Sequence, residues 1–224
     1  MKVVEVRKAV KKYQLGKVWV TALKGVDVTV ESGEFMALAG PSGSGKTTLL
    51  NLIGGLEKPS SGSICLNGTD LAGLTHDALA TLRARQLGFV FQNFNLLPVL
   101  TAVENVEYPL LLSDKFAADN KRLMAQQALE RVGLGSHLNH KPLEMSGGQR
   151  QRVAIARAMV VQPTIVLADE PTANLDHNTG LEILALMKEI NKSSKTTFIF
   201  STHDQKIIDM ADRVVRVWDG TIIG

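Results

Sequence analysis

The sequence predicts an α/β domain, a mixed but mostly parallel sheet core with an antiparallel β part, into which a helical lobe is inserted. Three observations predict it. Short continuous apolar runs occur at residues 35–39 and 165–168, and residues 197–200 read as a further buried strand. Stretches with helical spacing alternate with these runs, and a long stretch poor in strand candidates, residues 93–160, separates two strand-rich parts. Continuous apolar runs of strand length mark strands buried on both faces, the habit of parallel sheets covered by helices.

The elements follow in order. Val26, Val28 and Val30 alternate with Asp27, Thr29 and Glu31, which predicts a half-buried strand. The run 35–39 predicts a buried strand. It enters a glycine-rich loop and then a helix carrying Leu49, Leu50, Leu52 and Ile53, which Gly54 and Gly55 end. Residues 89–91 predict another buried strand. Ala125, Ala128, Leu129 and Val132 fall on one helical face, as do Ile183, Leu186, Met187 and Ile190. Ser146 opens a helix reaching about Val160. Residues 214–218 and 221–223 flank Asp219-Gly220 and predict a terminal hairpin. The chain is expected to form one domain over 1–224, with 1–92 and 161–224 as the α/β core and 93–160 as the lobe.

Composition narrows the function. Apolar residues make up 45% of 224, enough for a sizeable core. No stretch approaches the ~18 uninterrupted apolar residues of a membrane span, and residues 1–13 have scattered lysines instead of a signal-peptide core. An unexported protein in a reducing compartment is expected, since Cys65 stands alone and no internal disulfide can form. Within the net charge of +3, residues 1–24 concentrate Lys2, Arg7, Lys8, Lys11, Lys12, Lys17 and Lys24 against Glu5 alone. This is either a solvated face or a contact for an anion such as lipid or a nucleotide. No basic and aromatic interleaving or zinc-finger spacing points to nucleic acid.

Three segments carry chemistry. Gly40, Pro41, Ser42, Gly43, Ser44, Gly45, Lys46 and Thr47 read G-x-x-x-x-G-K-T, between an apolar strand and an amphipathic helix. Successive backbone N–H groups in such a loop form an anion cradle, and the helix adds its positive end. Lys46 reaches outer phosphates as a point charge, and the Thr47 hydroxyl suits Mg²⁺. Asp169 and Glu170 end the apolar run 165–168. Adjacent carboxylates at a buried strand end repel each other and lose hydration, and a cation with a positioned water relieves both problems. Asp169 suits the cation and Glu170 the attacking water. Ser146, Gly147, Gly148 and Gln149 form a second glycine loop at a helix start. It is a helix cap, a second anion site, or both.

These segments together resemble the nucleotide-binding subunits of ABC transporters, over nearly the whole chain. The resemblance makes residues 40–47, extended to Thr48, the Walker A loop, and residues 165–170 Walker B with a catalytic glutamate. Residues 145–149 are similar to the family signature, with Met145 where Leu is usual. It implies that Gln92 touches Mg²⁺ and the attacking water, that Asp176 lies on the loop crossing a dimer interface, and that His203 is the switch histidine near the γ-phosphate. It also implies that Tyr13 stacks on adenine; otherwise Tyr13 is an ordinary strand aromatic. Residues 89–92, 95–98, 104–106 and 167–176 resemble the macrolide-exporter, lipoprotein-releasing and cell-division group, with Ala173 where Gly is common. Members of that group pair with permeases of few membrane helices and a large external domain.

The resemblance implies ATP and Mg²⁺ as cofactors and a homodimer that sandwiches two ATP molecules. Lys46 of one copy would face Ser146, Gly147 and Gly148 of the other. It implies a cytoplasmic ATPase, peripheral on the inner face of the cell membrane, that powers a permease. The alternative is force transmission through a permease-like protein without transport. Elsewhere, His137 and His140 are expected as surface or hinge residues, and Trp19 and Trp218 as packing residues. The apolar residues Phe94, Leu96, Leu97, Val99 and Leu100 serve either as lobe core or as a groove for the permease.

Overall fold

The computed structural model describes residues 1–113 and 115–223. Asp114, in the expected lobe, and Gly224, at the end of the expected core, lie outside the described residues. Strands β1 (Lys2–Leu15), β2 (Val18–Glu31), β4 (Ser61–Leu66) and β5 (Thr69–Asp70) pair antiparallel in the order β2-β1-β4-β5. Strands β3 (Phe35–Ala39), β6 (Leu87–Val90), β7 (Ile165–Asp169), β8 (Thr197–Thr202), β9 (Arg213–Trp218) and β10 (Thr221–Ile222) form a second sheet in the order β10-β9-β3-β8-β7-β6. All neighbours in it are parallel except the terminal hairpin β9–β10. Around the sheets run α1 (Lys46–Ile53), α2 (His76–Gln86), α3 (Ala102–Leu111), α4 (Ala118–Arg131), α5 (Gly147–Met159), α6 (His177–Ser194) and α7 (Gln205–Met210).

The period of two along each central strand builds three layers. Phe35 and Ala37, Val166 and Ala168, and Phe198 and Phe200 point to one face, where they meet Val103, Val106, Leu129, Ile155 and Ile183 of the helices. Met36 and Leu38, Ile165 and Leu167, and Ile199 point to the other, against Leu49, Leu52 and Ile53 of α1 and Val4, Val6 and Val30 of the antiparallel sheet. The rings of Phe35 and Phe200 lie 4.5 Å apart in a tilted pair. One apolar cluster runs from α3 and α4 through α5 to β8, so the segment 93–160 shares its core with the sheet. Within that segment, two 3₁₀ turns (Gly135–His137 and Pro142–Glu144) join α4 to α5, and no strand occurs among the described residues.

Several boundaries differ from expectation. The strand expected at 89–91 runs over Leu87–Val90, because Leu87 and Gly88 pair with Ile165 and Val166, and a turn closing Phe94 N–H on the Phe91 carbonyl takes the chain out of the sheet. The alternating strand around Val28 begins ten residues earlier than Val28, at Val18. Trp19 and Trp218 are not packing residues. They are 61% and 58% exposed: alternation turns Val217 inward and Trp218 outward, and Trp19 lies at an end of β2 where Val18 and Val20 are exposed as well. Phe94 is core, at 8% exposed, whereas Leu97 (40%) and Val99 (74%) face solvent, so the two readings of that stretch divide between its residues. Among the described residues no helix is long and apolar enough to cross a membrane.

Thr101, Glu104 and Asn105 show how the segment after Gln92 is tied down. The Thr101 hydroxyl and Glu104 carboxylate cap α3 reciprocally. The buried Asn105 amide donates to the carbonyls of Leu97, Leu100 and Thr101 and accepts from Leu97 N–H at 2.8 Å. Asn105→Ala leaves these groups short of partners and is expected to cost about 2 kcal/mol. Thermal unfolding should then fall by about 4–8 °C; an unchanged midpoint would show that water replaces the amide at no cost.

Candidate functional site: the C-terminal edge of the parallel sheet

The loops after β3, β7 and β8 leave the sheet along one edge. Residues 40–45 follow β3. Gly45 is the N-cap of α1 at φ 106°, a conformation that excludes other residues, and a Cβ there would lie 2.7 Å from the Ala22 carbonyl oxygen. No side chain caps α1 and no acid stands in its first turn. The first N–H groups of the helix, including those of Lys46, Thr47 and Thr48, therefore have no intrahelical acceptor. Ser44 is 4% exposed, and its Oγ has no protein partner. Pro41, Ser42 and Gly43 are exposed at the loop's crest. An orphaned buried hydroxyl and uncapped amides in one concave loop fit a phosphate group. Lys46 is 6% exposed, and its Nζ donates to the carbonyl oxygens of Gly40 (2.8 Å) and Pro41 (2.9 Å).

The acids sit beside this loop. Thr47 Oγ1 donates to Asp169 Oδ1 at 3.0 Å, across 122 residues of sequence. Two hard oxygen donors so placed fit Mg²⁺, which takes few protein ligands when phosphates supply the others. Among the described residues no group of three or more His, Cys, Asp or Glu side chains is placed to hold a metal. His137 and His140, with ring centroids 5.0 Å apart, gain no third ligand. Glu170 adopts a left-handed backbone at φ 45°, while its N–H donates to the Ser201 carbonyl. That turn sends its carboxylate towards the end of β8, where Oε1 lies 2.8 Å from His203 Nδ1 and Oε2 accepts from Thr202 Oγ1 at 3.4 Å. A non-glycine residue in this region costs of order 1 kcal/mol or more.

Gln92 is exposed, just past β6. Asn174 holds its loop from the side of β7, donating to the Gln92 carbonyl and to Asn93 Oδ1, both at 3.0 Å. Asp176 caps α6, accepting from Thr179 N–H at 3.1 Å. Hydrogen bonds from Thr179, side chain and backbone, hold the Asp176 carboxyl below its ordinary range. Tyr13, on β1, is part-buried. Its hydroxyl donates to Glu57 Oε2 at 2.7 Å, and Lys11 Nζ lies over its ring, 5.0 Å from the centroid.

Ser146 caps α5 as a reciprocal box: its Oγ accepts from Gln149 N–H and its N–H donates to Gln149 Oε1. Gln149 Nε2 also meets His137 Nε2 at 3.0 Å. Gly147 is part-buried beside Leu175. Gly148 has a packing reason besides any ligand, since a Cβ there would lie 2.5 Å from Thr179 Cγ2. Among the described residues, no hydrogen bond of residues 146–149 reaches residues 40–48. The structure therefore groups Lys46, Thr47, Asp169, Glu170 and His203 on one edge, and the second glycine loop makes no hydrogen bond to that group among the described residues.

A family model described as ABC transporter matches residues 23–173. The chain belongs to the ABC transporter family. The lipoprotein-releasing system ATP-binding protein LolD of Anaeromyxobacter dehalogenans is 48% identical over 213 residues, 95% of this chain and 89% of that protein. The macrolide export ATP-binding/permease protein MacB of Syntrophobacter fumaroxidans is 47% identical over 223 residues, 99% of this chain, which spans only 31% of that longer protein. Among solved structures, the dimeric ATP-binding cassette MJ0796, in a post-hydrolysis state bound to ADP and Pi, matches with a TM-score of 0.91 and 41% identity. That match covers 99% of this chain and 97% of the other. As a member of this family the chain is an ATPase of the cassette type.

Sequence reasoning missed Glu57. Its carboxylate collects Tyr13, Lys11 at 3.0 Å and Asn51 at 3.1 Å, from β1 and α1. Burial raises its pKa, but the bonds from Tyr13, Lys11 and Asn51 outweigh that and hold it below the ordinary value. For the Tyr13 phenol, burial and the Glu57 bond both raise its pKa. A lowered carboxyl contributes stability above its unfolded pKa and loses it as pH falls through the folded one. Glu57→Gln should therefore cost about 1 kcal/mol at pH 7 in urea unfolding, and the gap to wild type should narrow as pH falls below the ordinary glutamate pKa of about 4.3. A gap that does not narrow as the carboxylate protonates would mean the charge is not what the network uses.

Proposed function

We propose that this chain is the ATP-hydrolysing subunit of a transporter, closing head to tail with a second copy on two ATP molecules to drive a separate membrane permease. The observation that carries the reading is the division of the site. Lys46, Thr47, Asp169, Glu170 and His203 share one edge, whereas the second glycine loop, Ser146 to Gln149, at the head of α5, makes no hydrogen bond to it among the described residues. A nucleotide held by one edge and covered by another copy's glycine loop uses both. The dimeric state of the MJ0796 cassette supports that arrangement.

In this reading the N–H groups of residues 40–48 hold the phosphates, and Lys46 exchanges the carbonyls of Gly40 and Pro41 for outer phosphate oxygens. Tyr13 stacks on the adenine. Thr47 and Asp169, with Gln92, hold Mg²⁺, which supplies charge neutralisation on the phosphate oxygens. Glu170 takes the proton of the attacking water, and the bond from His203 fixes the direction of its carboxylate. Ser146, Gly147, Gly148 and Gln149 of one copy contact the γ-phosphate bound by the other, and Asp176 crosses the interface. Because ATP binds the closed pair better than the open one, its binding drives closure and hydrolysis reverses it.

The permease partner rests on the kinship with LolD and MacB. The exposed side chains of Leu97 and Val99, in the loop after Gln92, and of Leu111 and Leu112, at the end of α3, are apolar groups open to it. Docking there places the chain on the inner face of the cell membrane, with a permease of few membrane helices and a large external domain.

Glu170→Gln should bind ATP normally, lower turnover by about 10²–10⁴ and accumulate as an ATP-dependent dimer in size-exclusion chromatography. Wild-type turnover would remove Glu170 from the mechanism. Ser146→Arg should abolish hydrolysis yet leave nucleotide binding by the single chain intact, as read by equilibrium dialysis; loss of that binding would contradict a site shared between two chains.

A further inference from the structure

The loop after Gln92 has a costly backbone. Phe94 and Asn95 are consecutive non-glycine residues in the left-handed region, at φ 61° and 47°. Such conformations persist where surroundings over-determine them. Here both carbonyl oxygens are taken by one side chain: Arg157 donates through Nη2 to Phe94 O at 2.7 Å and through Nη1 to Asn95 O. Arg157 lies on α5, more than sixty residues further along the chain. Two helical turns earlier on the same helix, the Arg150 guanidinium covers the Phe94 ring, 5.0 Å from its centroid. The helix that begins with Ser146 thus grips the loop that begins with Gln92 through two arginines.

Arg157 is a poor choice for stability alone. No carboxylate among the described residues bonds it, and burial draws its guanidinium below the ordinary value. A part-buried cation met only by carbonyls gains little stability that an apolar side chain of similar volume would not also give. What a guanidinium supplies is geometry: a rigid planar fork that holds two oxygens in fixed relation, where an ammonium is a rotatable point charge that fixes no such plane.

We propose that Arg157 is a positioning residue for hydrolysis, locking Gln92's loop to the helix that presents the second glycine loop, so that the placement of one fixes the placement of the other. The inference rests on the reading of Gln92 given above. Gln92 then reaches its working position only when Ser146 to Gln149 of the same chain have reached theirs. Each copy's own site becomes competent together with the surface it lends to its partner.

The test is a double-mutant cycle on ATP turnover by the full chain, with Arg157→Met or Arg157→Lys combined with Gln92→Ala. Arg157→Met should lower kcat about tenfold or more while KM and single-chain ATP affinity stay within about twofold. Arg157→Lys should recover part of the loss, and it carries the cycle alone if the methionine variant does not fold. On the Gln92→Ala background either change should lower kcat by less than about twofold, because the loop no longer carries the group it positions. Losses that multiply, or wild-type turnover in Arg157→Met, overturn the proposal. If Gln92→Ala alone hydrolyses ATP at the wild-type rate, it is the reading of Gln92 that fails, and this inference falls with it.

Discussion

The parallel pairing of β3 with β8, and of β8 with β7, is the constraint on which the rest depends. Ala39 stands opposite Thr202, and Asp169 opposite Ser201. Three strands that end in register release three loops at one edge, as parallel sheets generally do at a ligand-binding crevice. That register, and not any local preference, brings Thr47 within 3.0 Å of Asp169 and His203 within 2.8 Å of Glu170. The apolar faces of the strands fix the register, since a slip of one residue would turn Phe198 and Phe200 away from the helices and Ile199 towards them.

The edge also settles how charged groups survive there. Asp169 and Glu170 are adjacent in sequence and both part-buried. Repulsion is limited by sending them to different partners. Asp169 stays with the strand and meets Thr47, while the left-handed turn at Glu170 swings the second carboxylate across to β8 and His203. Strain at one residue separates two charges. Lys46 meets the same problem by donating to two carbonyls of its own loop, an arrangement that a polyanion readily replaces.

Much of this was legible in the sequence because it rests on local patterns. Continuous apolar runs gave the central strands, helical spacing gave α4 and α6, and glycine spacing gave the loop before α1. The remainder depends on contacts between distant segments. The Glu57 network joins β1 to the end of α1, and Arg157 reaches Phe94 across the lobe; neither partner carries a local signal. Long β1 escaped notice because its register shifts at several points against β2, and such bulges break the alternation that marks a strand. Helix α2 has no apolar stripe, with Leu79 and Leu82 its only buried residues. Gly148 shows that a glycine singled out for one reason can have another: its missing side chain leaves room for Thr179, whatever it offers a phosphate. The exposed tryptophans show the reverse, since Trp218 follows the alternation of β9 and Trp19 lies on an end of β2 where three successive apolar residues are exposed, so hydrophobicity places neither.

The central claim is that a complete hydrolytic site takes its two halves from two chains. Mixing two inactive variants tests it most directly, one carrying Lys46→Ala and the other Ser146→Arg. In a head-to-tail pair the mixed dimer contains one wholly damaged site and one wholly intact site. Half of the dimers in an equal mixture are mixed, so ATP turnover should recover to about a quarter of wild type. A mixture as inactive as either variant alone would contradict the account, because a site contained within one chain gains nothing from its neighbour.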